Sequence, residues 1–194
     1  VITTAGPVVT ADEVCQAVAT ILETFLPDVL ASIPDDRTID PPSSYSQVPT
    51  REAVLQAEAE LPAVGIFSAG LSGPPVRDED GNWSKTWRVT VVGYVRAGSY
   101  TDTQWMCRTL APLILAVLAQ NQTLGGIAAS VTPIDETYDV VDSDASRTLA
   151  GCAVDIDVEV QDSFNDLVIP PYDPDGPLVI TTSTDAEVLH PALA

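Results

Sequence analysis

The chain has 194 residues and a mass of 20.5 kDa, enough for one domain with a substantial core and too few for two full ones. It carries 8 basic and 28 acidic side chains, a formal net charge of −20, which excludes nucleic-acid binding by phosphate neutralisation, because that mode needs clustered cations. The acidity is segregated, with ten acids against two arginines in residues 1–60, four acids against five bases in 61–130, and 14 acids against Arg147 alone in 131–194.

Thr10 and Glu13 form a T-x-x-E capping box ahead of Val14, Val18, Ile21, Leu22 and Phe25, and this spacing of three and four predicts an amphipathic helix from Ala11. Pro27 predicts a break or kink near Leu26, with a restart that ends near Ile33. Residues 34–50 hold four prolines and little periodicity, the pattern of a surface loop, and a short helix is expected from Thr50 through Ala59. Leu61–Phe67 (LPAVGIF) opens a strand with Pro62 at its start. Gly70–Gly81 is turn-rich, and its tip Asp78-Glu79-Asp80-Gly81 ends in the Asp-Gly pair of tight hairpins.

Trp83–Arg96 (WSKTWRVTVVGYVR) is dense in aromatic and β-branched residues and is the strongest strand in the chain. Trp87, Val89, Val91, Gly93 and Val95 lie on one face, and Arg88, Thr90, Val92, Tyr94 and Arg96 on the other. A second amphipathic helix from Thr101 or Asp102 presents Trp105, Met106, Leu110, Leu113, Ile114, Val117 and Leu118, with a kink expected at Pro112. Gly125-Gly126 closes that segment, and Ile127–Ile134 resumes as a strand. After an acidic stretch, Asp135–Asp144, the run Ala153–Gln161 alternates strictly. Val154, Ile156, Val158 and Val160 share one face; Asp155, Asp157, Glu159 and Gln161 share the other, as in a half-buried antiparallel strand with a solvated acidic face. The expected architecture is α+β: a mostly antiparallel sheet with two main helices packed on one face, forming a single domain over residues 1–162. Residues 163–194, with five prolines, follow as an extended acidic arm.

Catalytic constellations are sparse. His190 is the only histidine and falls in the arm, so a nucleophile-and-base site lacks its base. Ser68 in GIFSAG has Ile66 where a nucleophile elbow needs glycine, and no glycine-rich phosphate loop precedes Lys85. Asp78, Asp80 and Asn82 begin like a calcium loop, but Val89 stands where the bidentate Glu belongs. Asp155, Asp157 and Glu159 recur about 7 Å apart on one strand face, a spacing compatible with a solvated surface, a divalent-ion site or a lining that faces a polyanion. Trp83, Trp87 and Trp105 suit either core packing or anchoring at a subunit interface. Cys15, Cys107 and Cys152 form no C-x-x-C pair and read as small buried hydrophobes in a reducing compartment. No enzyme activity, cofactor or metal is expected, and no apolar run of about 18 residues marks a membrane span.

The capped N-terminal helix, the strand opening LPAVGIF, the strand RVTVVGYVRAG running into the Thr101–Gln120 helix, and SRTLAGCAVDIDVEVQD leading into the last strand together resemble the tail terminator proteins of long, flexible-tailed phages, particularly those of actinobacteria. The likeness covers residues 10–162; Pro112 and the arm after Ser163 depart from it. It implies a tail-tube-like fold and a six-fold homo-oligomeric ring on the head-proximal end of the tail tube. Such a ring stops tube growth, offers a surface to the head-tail connector and neck proteins, and lets DNA pass without specific binding. It implies location in the virion at the tail-neck junction, after assembly in the host cytoplasm. In such a ring Asp155, Asp157 and Glu159 would line the channel and repel phosphates, while Arg77, Lys85, Arg88, Arg96 and Arg108 would pair with acidic neighbouring subunits and Trp83 would join those contacts. Mutual repulsion of the acidic copies makes that ring salt-dependent. Two other readings stay open: a different neck or head-completion connector, and an acidic DNA-mimic inhibitor.

Overall fold

A computed structural model of the chain describes residues 8–33, 38–47, 61–77, 79, 82–144, 147–162, 167–168 and 181–182. The helix expected at Thr50–Ala59, the hairpin-tip residues Asp78, Asp80 and Gly81, and most of the arm lie outside them.

Helix α1 spans Ala11–Ala31. The Thr10 hydroxyl accepts from the Glu13 amide (3.3 Å), and the Glu13 carboxylate accepts from the Thr10 amide (2.7 Å), so two backbone donors at the helix start are satisfied reciprocally. Pro27 lies inside one continuous helix, so of the break or kink expected there the break does not occur. The carbonyl that Pro27 leaves without a helical donor belongs to exposed Glu23, on the side where water can serve it, while Leu26 and Leu30 stay buried and carry the helix one turn further. By length and composition α1 is apolar enough to cross a membrane, which the sequence reading did not expect; eight of its residues are buried, as in a core helix.

Strand β1 (Ser44–Ser46) lies within the stretch expected to be loop and pairs parallel with β2 (Ala63–Leu71). Next come β3 (Val76–Arg77) and β4 (Trp83–Arg96), the latter with the expected bounds. Helix α2 runs Tyr100–Gln120 from the N-cap Ser99. Pro112 again leaves a single helix: Pro112 and Arg108, whose carbonyl loses its donor, are both exposed, and Leu110, Ala111 and Ile114 pin the turn from inside. Thr103, fully buried, ties strand to helix. Its hydroxyl donates to the Ser99 carbonyl (2.8 Å) and accepts from the Ala97 amide (3.0 Å). A 3₁₀ turn at Leu124–Gly126 follows, with Leu124, Gly125 and Gly126 at positive φ.

Strand β5 begins at Ser130 rather than Ile127 and continues through the acidic stretch to Asp144, where no strand was expected. Strand β6 occupies Arg147–Asp162, longer than the alternating core of Ala153–Gln161. From Ser130 to Asp144 strand formers such as Val131, Ile134, Tyr138 and Val140 are interleaved with acids and a proline that disfavour strand, and pairing along β6 settles the balance, with irregularities at Pro133/Asp135 and Val140/Asp142. In the arm, β7 (Leu167–Val168) pairs with β8 (Thr181–Thr182).

The main sheet has six strands in the order β1-β2-β4-β6-β5, with β3 continuing the line of β2 along β4. Among the described strands of this sheet, only the β1–β2 pair is parallel. Both helices cover the face that carries Val64, Ile66, Val89, Val91, Val95, Cys152, Val154, Ile156 and Val158. This is the α+β architecture expected from the element order.

Gly93 sits where α2 presses closest on the sheet. A Cβ there would lie 2.7 Å from Leu110 Cδ2 and 2.9 Å from Cys152 Sγ, both fully buried. Overpacking of about 1–3 kcal/mol outweighs the roughly 0.4–1 kcal/mol gained by stiffening the unfolded chain. Gly93→Ala is therefore expected to lose about 1–2 kcal/mol, read as a lower urea midpoint at unchanged slope.

Candidate functional site

Strand parity assigns one set of β4 and β6 side chains to the helices and the other to the opposite, outer face of the sheet. The β4–β6 register sets Thr86 opposite Glu159, Arg88 opposite Asp157 and Thr90 opposite Asp155. On the other flank of β6, Ser130 faces Glu159, Thr132 faces Asp157 and Asp135 faces Asp155. The three carboxylates singled out in the sequence therefore stand in one row at the middle of the outer face, joined by exposed Asp135 and Asp139 from β5.

The row is not bare to solvent as the sequence suggested. Arg88 grips Asp157 with two bonds, Nε to Oδ1 at 2.6 Å and Nη2 to Oδ2 at 3.2 Å. Thr90 Oγ1 donates to Asp155 Oδ1 at 2.5 Å. Glu159 accepts from Ser84 Oγ on β4 (2.9 Å) and from Ser130 Oγ at the start of β5 (3.2 Å). Each carboxylate is thus half-buried and held by a hydroxyl or guanidinium on a neighbouring strand, so its orientation is set before any partner arrives. The hydrogen bond to Asp157 raises the Arg88 pKa, partial burial opposing it, and the charge of Asp155 adds to the effect.

The residues expected at subunit contacts are dispersed, with Arg108 on α2 and the others on β3 and β4. Arg88 is committed to Asp157 within the chain. Lys85 points to the helix side of the sheet, is 8% exposed, and holds its Nζ 5.3 Å from the centre of the Trp87 ring, so it is not on open surface. Trp83 and Arg96 are half-buried at the two ends of β4, and Arg77, on β3, is exposed. Trp87 and Trp105 pack against the hydrophobic core.

Sequence reading missed the partners of the acidic row. Ser84 and Arg88 lie 75 and 69 residues from the carboxylates they hold, and nothing in local spacing links them. It named Arg108 and Trp105 as possible subunit contacts but missed the groove on α2 that gathers them with Tyr100, Thr101 and Gln104. Among the described residues, no group of three or more His, Cys, Asp or Glu side chains is arranged to hold a metal ion.

The fold and face together define an α+β protein whose sheet is apolar toward its helices and, on its outer side, acidic along β5 and β6 beside Phe67, Val92 and Tyr94 on β2 and β4. No family model matches the chain, and no curated protein matches it.

All three cysteines are buried, as expected. Burial first, and the charge of Asp12 second, push the Cys15 thiol up to about 11; the hydrogen bond with Cys107, then burial, raises Cys152 far more. Burial and Glu23 likewise push the Tyr45 hydroxyl up to about 12. Both Cys15 and Tyr45 have folded-state values above their ordinary 9.0 and 10.0, so the stability they contribute is complete below about pH 9 and is lost as pH climbs toward 12. The urea midpoint is expected to hold between pH 7 and about 9 and then fall; Cys15→Ala and Tyr45→Phe should each flatten part of that fall.

Proposed function

We propose that this chain is a structural ring protein of the phage tail terminator kind: six copies cap the head-proximal end of a tail tube, stop its growth, and present a surface to the neck. The observation that carries the proposal is the outer sheet face. Among the described residues, the carboxylates Asp135, Asp139, Asp155, Asp157 and Glu159 share it with the cations Arg88 and Arg96. Arg88 is already spent on Asp157 and offers no free charge to a phosphate.

A rigid row of oriented carboxylates suits a wall past which DNA must slide. Repulsion keeps phosphates off the wall, and the row cannot collapse onto them because its side chains are tethered to neighbouring strands. The helices, on the opposite face, would form the outside of the ring. The reading rests as well on the likeness to tail terminator proteins drawn from the sequence, with which an α+β layering is compatible.

Copies with a charge of −20 repel one another at low ionic strength. Screening shortens that repulsion from about 30 Å at 0.01 M salt to about 8 Å at 0.15 M. Negative-stain electron microscopy of the purified protein is therefore expected to show monomers at low salt and rings with a through-hole at high salt with magnesium. Monomers under every condition, together with failure to cap isolated tail tubes, would overturn the proposal. Competition with DNA for a DNA-binding protein by those monomers would then favour the DNA-mimic reading.

A further inference from the structure

We propose that the flank of α2 formed by its first turns is a docking groove for the acidic free edge of strand β5 on a second copy of this chain. The assignment rests on the ring reading and names the contact that would build the ring.

Tyr100, Gln104 and Arg108 recur every four residues along α2, with Thr101 and Trp105 beside them, so all five share one flank of the helix. They line an open groove of about 380 Å³. Tyr100 is 59% exposed. Arg108 is exposed and makes no hydrogen bond or ion pair among the described residues. Tyr, Trp and Arg are the side chains that most often dominate binding energy at protein interfaces, because each couples a large apolar area to a polar end.

Charge selects the occupant. None of the five lining residues is acidic, whereas the chain as a whole is strongly so. Two copies can meet closely only where one of them offers a neutral or cationic surface. The complementary surface lies on β5, the last strand of the sheet, whose outer edge pairs with no strand among the described residues. That edge exposes Ile134 (46%) and Tyr138 (41%) next to the exposed carboxylates Asp135 and Asp139. By register Asp135 and Asp139 stand on the outer side of this edge, opposite Asp155 and Gly151, and Tyr138 on its helix side, opposite Cys152, so a groove that takes the edge end-on meets carboxylates suited to Arg108 on one side and a ring suited to Trp105 on the other. The irregularity at Pro133/Asp135 disfavours simple strand addition there, leaving side chains as the means of contact. Groove and edge are different surfaces of one protomer, so the contact is head-to-tail, the kind that closes into a cyclic ring.

The test is sedimentation velocity of the full chain across a salt series, on wild type, Arg108→Glu, Arg108→Ala, the pair Asp135→Lys with Asp139→Lys, and the combination of Arg108→Glu with that pair. Circular dichroism confirms folding, which exposed positions tolerate. Each charge reversal alone is expected to weaken association at least about tenfold, Arg108→Ala less, and the combined swap to restore most of it. If wild type forms rings and both Arg108 variants assemble equally well, the groove is overturned and the ring reading stands. If wild type forms open chains or dimers that depend on Arg108 and are rescued by the swap, the groove stands and the ring reading falls. A wild type monomeric at every salt concentration overturns the groove, and overturns the ring reading as well when the protein also fails to cap isolated tail tubes.

Discussion

The register that locks β4 against β6, from Trp83 opposite Asp162 to Arg96 opposite Leu149, decides where the side chains of the central sheet point. Because strand side chains alternate, a slip of one residue would carry Val154, Ile156 and Val158 to the outer face and drive three carboxylates under the helices. That exchange would bury charges without partners, at a cost far beyond the stability of a domain this size. The apolar seam and the acidic row are therefore two consequences of one pairing. The bonds from Ser84, Arg88 and Thr90 to the row reinforce the same register from the other side.

The helices are fitted to the sheet by close approach rather than by regular geometry. Gly93 leaves room for Leu110 and Cys152 to meet above β4, and Thr103 joins the end of that strand to the start of α2 through two hydrogen bonds. Both long helices carry a proline in their interior and remain single helices. In each, the orphaned carbonyl falls on an exposed residue, Glu23 or Arg108, while the adjacent apolar residues are buried. Tertiary packing offsets a local cost of about 3 kcal/mol at each site.

Charge organises the surface in the same layered way. The outer face concentrates carboxylates that are individually held by donors, whereas Lys85, the only lysine, is drawn to the helix side against Trp87. Cations left on open surface among the described residues include Arg77 on β3 and Arg108 on α2. A strongly acidic protein that associates with itself must do so through such places, and this is why the α2 groove, and not the set of bases spread along β4, is the better candidate for a subunit contact.

The sequence by itself determined the elements whose signal is local and periodic. The capping box at Thr10 and Glu13 started α1, the aromatic and β-branched run gave β4 its bounds, and strict alternation assigned the faces of β6, including Asp155, Asp157 and Glu159. The α+β class followed from the order of those elements. Tertiary structure alone decided the rest. Asp135–Asp144 reads as a polar stretch and becomes strand because β6 lies alongside it; Ser44–Ser46 becomes strand because β2 does. Arg88 reads as a free surface cation and becomes the partner of Asp157, 69 residues away. Local pattern specifies which face a side chain takes, but which neighbour meets it across a sheet depends on register, and register is a property of the folded chain.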